Sequence, residues 1–244
     1  VILESLARLA LDCDNDHVAL RRFRKLLKMQ EAKGDNIELS KIYRHIAGIY
    51  DRRDSTVEAI QYAEKALEVA ESVWSKQQRA SSCHLLGILY QRATMENKSV
   101  SILRQAQSIW EELNDEFGLF HSTMVLADIL EFQGQVQLCI RELRKCLKIL
   151  KEEKNIEECA KVYSRIAYLH FEQGDYQRAL GSFLASFGIS GSQEDAEMIQ
   201  KIRISLGEDE FWSVVSSRLM RREGVSVLRR KLEEFFPPSP PEEI

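Results

Sequence analysis

Three imidazoles and five thiols are the side chains in this 244-residue sequence whose chemistry invites a functional reading. His45, His84 and His121 recur close to forty residues apart. A metal ion would need a nitrogen of each at about 2 Å. Residues so spaced on successive packed helices stand roughly 10 Å apart, so no metal site is expected. The cysteines, at positions 13, 83, 139, 146 and 159, are odd in number and match neither a disulfide framework nor a zinc spacing. Free thiols fit a reducing compartment, cytoplasmic or nuclear. Cys139 and Cys146 read as small apolar packing residues, and His170 as a core histidine. There is no Ser/His/Asp order, no glycine-rich phosphate loop and no carboxylate pair with a pocket signature. We therefore expect neither an enzyme nor a bound cofactor.

The elements that position these residues follow from composition. There are only 11 Gly and 4 Pro, and all four prolines, Pro237, Pro238, Pro240 and Pro241, lie at the C-terminal end. Proline inside a helix removes a hydrogen bond and clashes with the preceding turn, so residues 1–236, which lack it, can be uninterrupted helix pairs. Strand sandwiches need many Gly- and Pro-rich turns. The expectation is an all-α fold. With 34 Lys and Arg against 38 Asp and Glu, the net charge of −4 gives no whole-molecule field for gripping nucleic acid. No apolar run reaches the ~18 residues of a membrane span. Residue 1 is Val, which leads us to expect a fragment or processed product whose targeting segment lies elsewhere.

Sliding the sequence against itself by forty residues brings like residues into register. Ala7, Ala47, Gly87, Ala127 and Ala167 form one small-residue column; Ala19, Ala59, Ser99, Cys139 and Ala179 form a second. A third holds Leu26, Ala66, Ala106, Cys146 and Ser186, and a larger column runs through Ala10, Tyr50, Tyr90, Leu130 and His170. Small side chains let antiparallel helices approach closely, and a ring fills the adjoining hole. Each pair then has an apolar face that only its neighbour covers, so pairs must stack. In the clearest copy Tyr163, Ile166, Ala167 and Leu169 precede Gly174-Asp175-Tyr176, Ala179 and Phe183. Gly174 suits a left-handed helix end and Asp175 the next N-cap. Ser55–Glu58 and Ser192–Asp195 read as capping boxes.

This order of residues resembles the tetratricopeptide repeat over about residues 1–190. The forty-residue spacing is similar to that of the longer-helix subclass, which includes kinesin light chains, Pins-type proteins and the sensor arms of MalT-like signalling ATPases. The resemblance implies a right-handed superhelix, an α-solenoid of five helix pairs over about 1–34, 35–76, 77–115, 116–154 and 155–190. Helices are expected near 1–12, 16–32, 38–52, 56–74, 78–95, 97–113, 117–133, 136–153, 156–173 and 176–188, with a break at Gly188–Ser192. Capping helices would follow over 191–236, near 194–206, 209–222 and 225–236, and then a disordered Pro-rich tail over 237–244. Phe211, Trp212, Val215, Leu219 and Met220, flanked by arginines, read as a cap for the last repeat or as a docking helix.

In the family the first helix of each pair lines the concave side. The stripe so placed carries Lys41, Arg44, His45, Arg52, His84 and Arg92 as a cationic half. His121, Asp128, Phe132, Lys161, Arg165, Tyr168 and Phe171 continue it toward an aromatic half. Such a groove would take a protein or peptide with acidic and apolar anchors. Where some family members place an Asn that clamps a carboxylate, this chain has Arg8, Gly48, Ile88, Asp128 and Tyr168, so that clamp and its partner class do not carry over. The expected function is a non-enzymatic interaction scaffold in a larger protein or complex. The alternative is the sensor arm of a signalling ATPase or transcription regulator that binds an effector.

Overall fold

The protein is described from a computed structural model over residues 2–13, 15–34 and 36–219. Among these residues there are twelve α-helices and no strand: α1 Ile2–Asp12, α2 Asp16–Lys33, α3 Asn36–Arg52, α4 Thr56–Ser72, α5 Lys76–Arg92, α6 Glu96–Leu113, α7 Glu116–Phe132, α8 Val136–Glu152, α9 Ile156–Glu172, α10 Tyr176–Ser190, α11 Gln193–Leu206 and α12 Glu208–Leu219. The fold class is an all-α helical repeat, as the spacing predicts. The expected capping helix at 225–236 and the tail at 237–244 lie outside the described residues.

The forty-residue period has a local cause. Left-handed backbone recurs every twenty positions, at Gly34, Asp54, Trp74, Thr94, Asn114, Gly134, Lys154 and Gly174. The residue after most of these closes the turn by donating its N–H five residues back: Ser55 to Tyr50, Ser75 to Ala70, Met95 to Tyr90, Asp115 to Trp110, Gln135 to Leu130, Asn155 to Leu150 and Asp175 to His170. This is the six-to-one closure that satisfies orphan carbonyls at a helix end. The same residue then caps the next helix. The side chains of Asn15, Ser75, Asp115, Asn155 and Asp175 each accept from the N–H three residues on. Gly174 and Asp175 take the roles expected of them. Ser55 and Ser192 stand at N-cap positions, but their side chains make no cap bond, so the expected capping boxes are corrected to bare N-caps. The break expected within Gly188–Ser192 falls at Gly191, whose φ of 66° ends α10; Gly188 itself is accommodated as helix.

The chain divides into two compact units, Val1–Glu142 and Leu143–Ile244, with the division inside α8. In the first, each helix from α1 to α7 packs on the next, and the first helices α3, α5 and α7 also touch in succession. Ala7, Ala47 and Ala127 are fully buried, and the Gly87 position is buried too. The buried serine hydroxyls of Ser99 and Ser40 satisfy themselves locally. Ser99 donates to the Gly87 carbonyl at 2.5 Å, and Ser40 to that of Ala66 at 2.8 Å. A lost partner would leave a buried hydroxyl at a cost of about 1–3 kcal/mol. In the larger column Tyr50 stacks on Tyr62 at 5.4 Å and accepts from Arg24 at 2.7 Å.

In the second unit α9 and α10 form a tight pair, and α11 and α12 pack on α10. Phe183, Phe187, Ile199, Ile202, Phe211 and Val215 share one core, each such side chain contributing about 1.5–3 kcal/mol by burial. Arg203, only 6% exposed, forks to both oxygens of Glu208 at 2.7 and 2.9 Å while its guanidinium lies over Phe211. That pairing fixes the turn between α11 and α12.

Candidate functional site

The candidate site lies along the first helices of the pairs. In the first unit a depression of about 540 Å³ is lined by Arg8, Leu11 and Asp12 of α1 and by Lys41, Arg44 and His45 of α3. Of the expected cationic set, Lys41, Arg44 and His45 thus share one cavity, and Leu11 is an apolar member that sequence reasoning did not single out. The charges there are partly answered: Arg8 pairs with Glu4 at 2.6 Å and Lys41 with Glu38 at 3.2 Å. Arg44 has no carboxylate partner among the described residues. Its Nη2 donates to Oε1 of Gln78 at 2.6 Å, and its buried Nε has no partner. Burial pulls its pKa below the usual value.

Two of the histidines, His45 and His84, are neutral at pH 7. His45 stacks on Phe23 at 4.9 Å, and burial, with Arg8 and Arg44 alongside, lowers its pKa to about 4. His84 Nδ1 lies 3.0 Å from the Ser122 hydroxyl; burial, reinforced by His121, lowers its pKa to about 4 as well. His121 is exposed, with the rings of Phe117 at 4.3 Å and Phe120 at 5.3 Å edge-on to it. Among the described residues no group of three or more His, Cys, Asp or Glu is placed to hold a metal ion. Toward the ends of α3 and α5, Arg52 pairs with Asp16, and Arg92 with Asp51 at 2.8 Å. Asp128 is exposed, and Phe132 is 82% exposed at the end of α7.

In the second unit the site residues stand on α9. Lys161 pairs with Glu158 at 2.6 Å, and Arg165 is half-buried. Tyr168 meets Phe183 edge-on at 5.0 Å, and burial raises its phenol pKa. Phe171 packs partly into the core beside Tyr176, ring centres 5.4 Å apart.

One periodic feature escaped the sequence. Arg44, His84, Met124 and Ser164 occupy one forty-residue column, and three of them reach the next first helix: Arg44 to Gln78, His84 to Ser122, and Ser164 to the buried Asp195 at 2.8 Å. The bridging side chains differ in type but not in position, so the available signal was their register.

No protein-family model matches the chain. The Trypanosoma brucei brucei protein "Tetratricopeptide repeat protein 29" is 21% identical over 150 residues, which is 62% of this chain and 31% of that protein. The chain spans about a third of the length of the curated relatives it matches. Among solved structures, a Podosopora anserina protein described as a kinesin light chain of nearly identical TPR-like repeats superposes with a TM-score of 0.62 at 18% identity, over 85% of this chain and 96% of that one. The chain has the tetratricopeptide-repeat fold. Its repeats also superpose, with a TM-score of 0.70 at 14% identity, on a signal-transduction ATPase with a tetratricopeptide repeat sensor from Pyrococcus horikoshii. That match covers 96% of this chain and 38% of the ATPase. Among the described residues of this repeat protein, no helix is long and apolar enough to cross a membrane.

Proposed function

We propose that this protein of tetratricopeptide-repeat fold is a non-enzymatic scaffold that holds a peptide or partner segment against its first helices, as part of a larger protein or complex. The observation that carries the reading is Arg44: a half-buried guanidinium without a carboxylate partner among the described residues, beside Lys41 and Arg8 in a cavity with Leu11 as an apolar wall. A partner carboxylate there would gain a charge-assisted hydrogen bond, and an adjacent apolar side chain would cover Leu11. Arg52, His84, Arg92, His121 and Asp128 extend the surface along α3, α5 and α7, with Phe132 at its end. Lys161, Arg165, Tyr168 and Phe171 offer a second stretch on α9. A rigid, preformed surface limits the ordering entropy that binding must offset. We take the units of the array to be the five repeats 1–34, 35–76, 77–115, 116–154 and 155–190, followed by α11 and α12.

Probing an array of acidic-apolar peptides with the whole chain tests this. Binders are expected, and Arg8→Glu with Lys41→Glu should weaken them about tenfold at unchanged melting temperature. Binders indifferent to that double reversal would refute the site. A second reading, a sensor arm of a signalling ATPase or transcription regulator, is favoured by the likeness to the Pyrococcus horikoshii sensor. A nucleotide-binding domain encoded in the same gene as this chain would support it.

A further inference from the structure

The second unit contains a groove that the scaffold reading does not use. It runs between α8 and α10 over α9 and has a volume of about 660 Å³, within the range of roughly 300–1,000 Å³ typical of ligand sites. Arg144, Lys148 and Lys151 line one wall, Arg178 stands on the other, and Glu152 is the one carboxylate in the lining. On α8 the three cations fall at i, i+4 and i+7, one face of a helix. Their existing partners are weak. Lys148 is 4.0 Å from Glu152 with both exposed, a geometry worth little in water. Lys151 lies over the Tyr163 ring at 5.3 Å, and Arg178 pairs with Asp175 at 3.0 Å within its own helical turn. Arg144 has no carboxylate partner among the described residues.

At the floor stands His170, 2% exposed, whose buried Nδ1 has no hydrogen-bond partner. An unpartnered buried polar atom costs about 1–3 kcal/mol, which an anionic acceptor in the groove would offset by accepting a hydrogen bond from Nδ1–H. The floor beside it is apolar, formed by Leu147, Ile166 and Ala185. We propose that this groove binds an acidic peptide segment, its carboxylates on Arg144, Lys148 and Arg178 and an apolar side chain on the floor beside His170. A bare phosphate would use the cations and leave the floor empty. The peptide uses both.

The test is an NMR titration of the whole chain with the capped hexapeptide Glu-Glu-Leu-Leu-Glu-Glu, following the His170 imidazole and Tyr163 ring signals. Both should shift saturably. Arg144→Glu with Lys148→Glu, exposed positions that leave folding intact, should weaken the response about tenfold. His170→Phe, which keeps the ring and removes the nitrogen, should weaken the Tyr163 response about fivefold. Arg8→Glu with Lys41→Glu should leave these signals responding as before, which separates this groove from the first-helix site. Signals that do not move, that move equally with inorganic phosphate, or that respond unchanged in the Arg144/Lys148 variant would overturn the proposal.

Discussion

Arg44 on α3 and Gln78 on α5 are joined by a 2.6 Å hydrogen bond from Nη2 to Oε1. The bond ties one first helix to the next, so Arg44 both faces the candidate partner and holds the array in register. Gln78 is 8% exposed. Arg44→Ala would strand its amide oxygen, and urea unfolding should register a loss of about 1–3 kcal/mol. Arg52 makes an exposed pair with Asp16, and Arg52→Ala should cost at most about 1 kcal/mol. Equal costs for the two would show that Arg44 is a surface cation and not a bridge.

The fold was legible because its determinants are compositional and periodic. Proline is confined to the C-terminal end, and Ala47, Gly87, Ala127 and Ala167 keep their interval, so a close helix crossing returns at each. The turns were half legible. Gly34, Gly134 and Gly174 mark left-handed positions openly and Asp54 and Asn114 more weakly, whereas Trp74, Thr94 and Lys154 adopt the same backbone without a residue that advertises it; there the closing bond, not intrinsic preference, holds the backbone. The electrostatics of the candidate site were illegible. That His45 stacks on Phe23 and His84 meets Ser122 depends on which face of a neighbouring helix arrives. Burial then removes from both imidazoles the charge that their residue type implied.

That burial has a consequence in acid. His45 and His84 have folded-state pKa values of about 4 against an ordinary 6.5. A base whose folded pKa is depressed binds fewer protons in the native state, so its stabilising neutral form is fully present above pH 6.5 and is lost as pH falls toward 4. Urea midpoints should be flat above neutrality and then decline, the two histidines together accounting for a loss of up to about 6 kcal/mol. His84→Gln should make that decline shallower. An acid branch of unchanged slope in the variant would place the titration elsewhere.

The thiols should separate by burial alone. Cys13 is exposed, and Cys83, Cys139, Cys146 and Cys159 are buried. Burial also raises the Cys83 pKa to about 11, which suppresses its thiolate further. An aromatic disulfide reagent at pH 8 should titrate one thiol rapidly in the native chain and all five in denaturant. Rapid native reaction of two or more would mean that the small-residue columns holding Cys139 and Cys146 open readily.

Two glycines in first helices should respond to alanine with opposite signs. Both sit in ordinary helical backbone, where alanine is favoured by about 1 kcal/mol. A Cβ at Gly48 would meet nothing within 4 Å, so Gly48→Ala should stabilise by about 0.5–1 kcal/mol. A Cβ at Gly87 would overlap Cγ and Cδ2 of Leu103, a side chain with no exposed surface and no room to turn. Moving it costs about 1–3 kcal/mol, more than the helix gains, so Gly87→Ala should destabilise. Leu103→Ala in the Gly87→Ala background makes room for the methyl, and the two changes should cost less together than the sum of each alone. Thermal melts of the four proteins decide it. If Gly87→Ala is neutral or stabilising, Leu103 yields at the α5–α6 crossing and the contact at Gly87 is not tight.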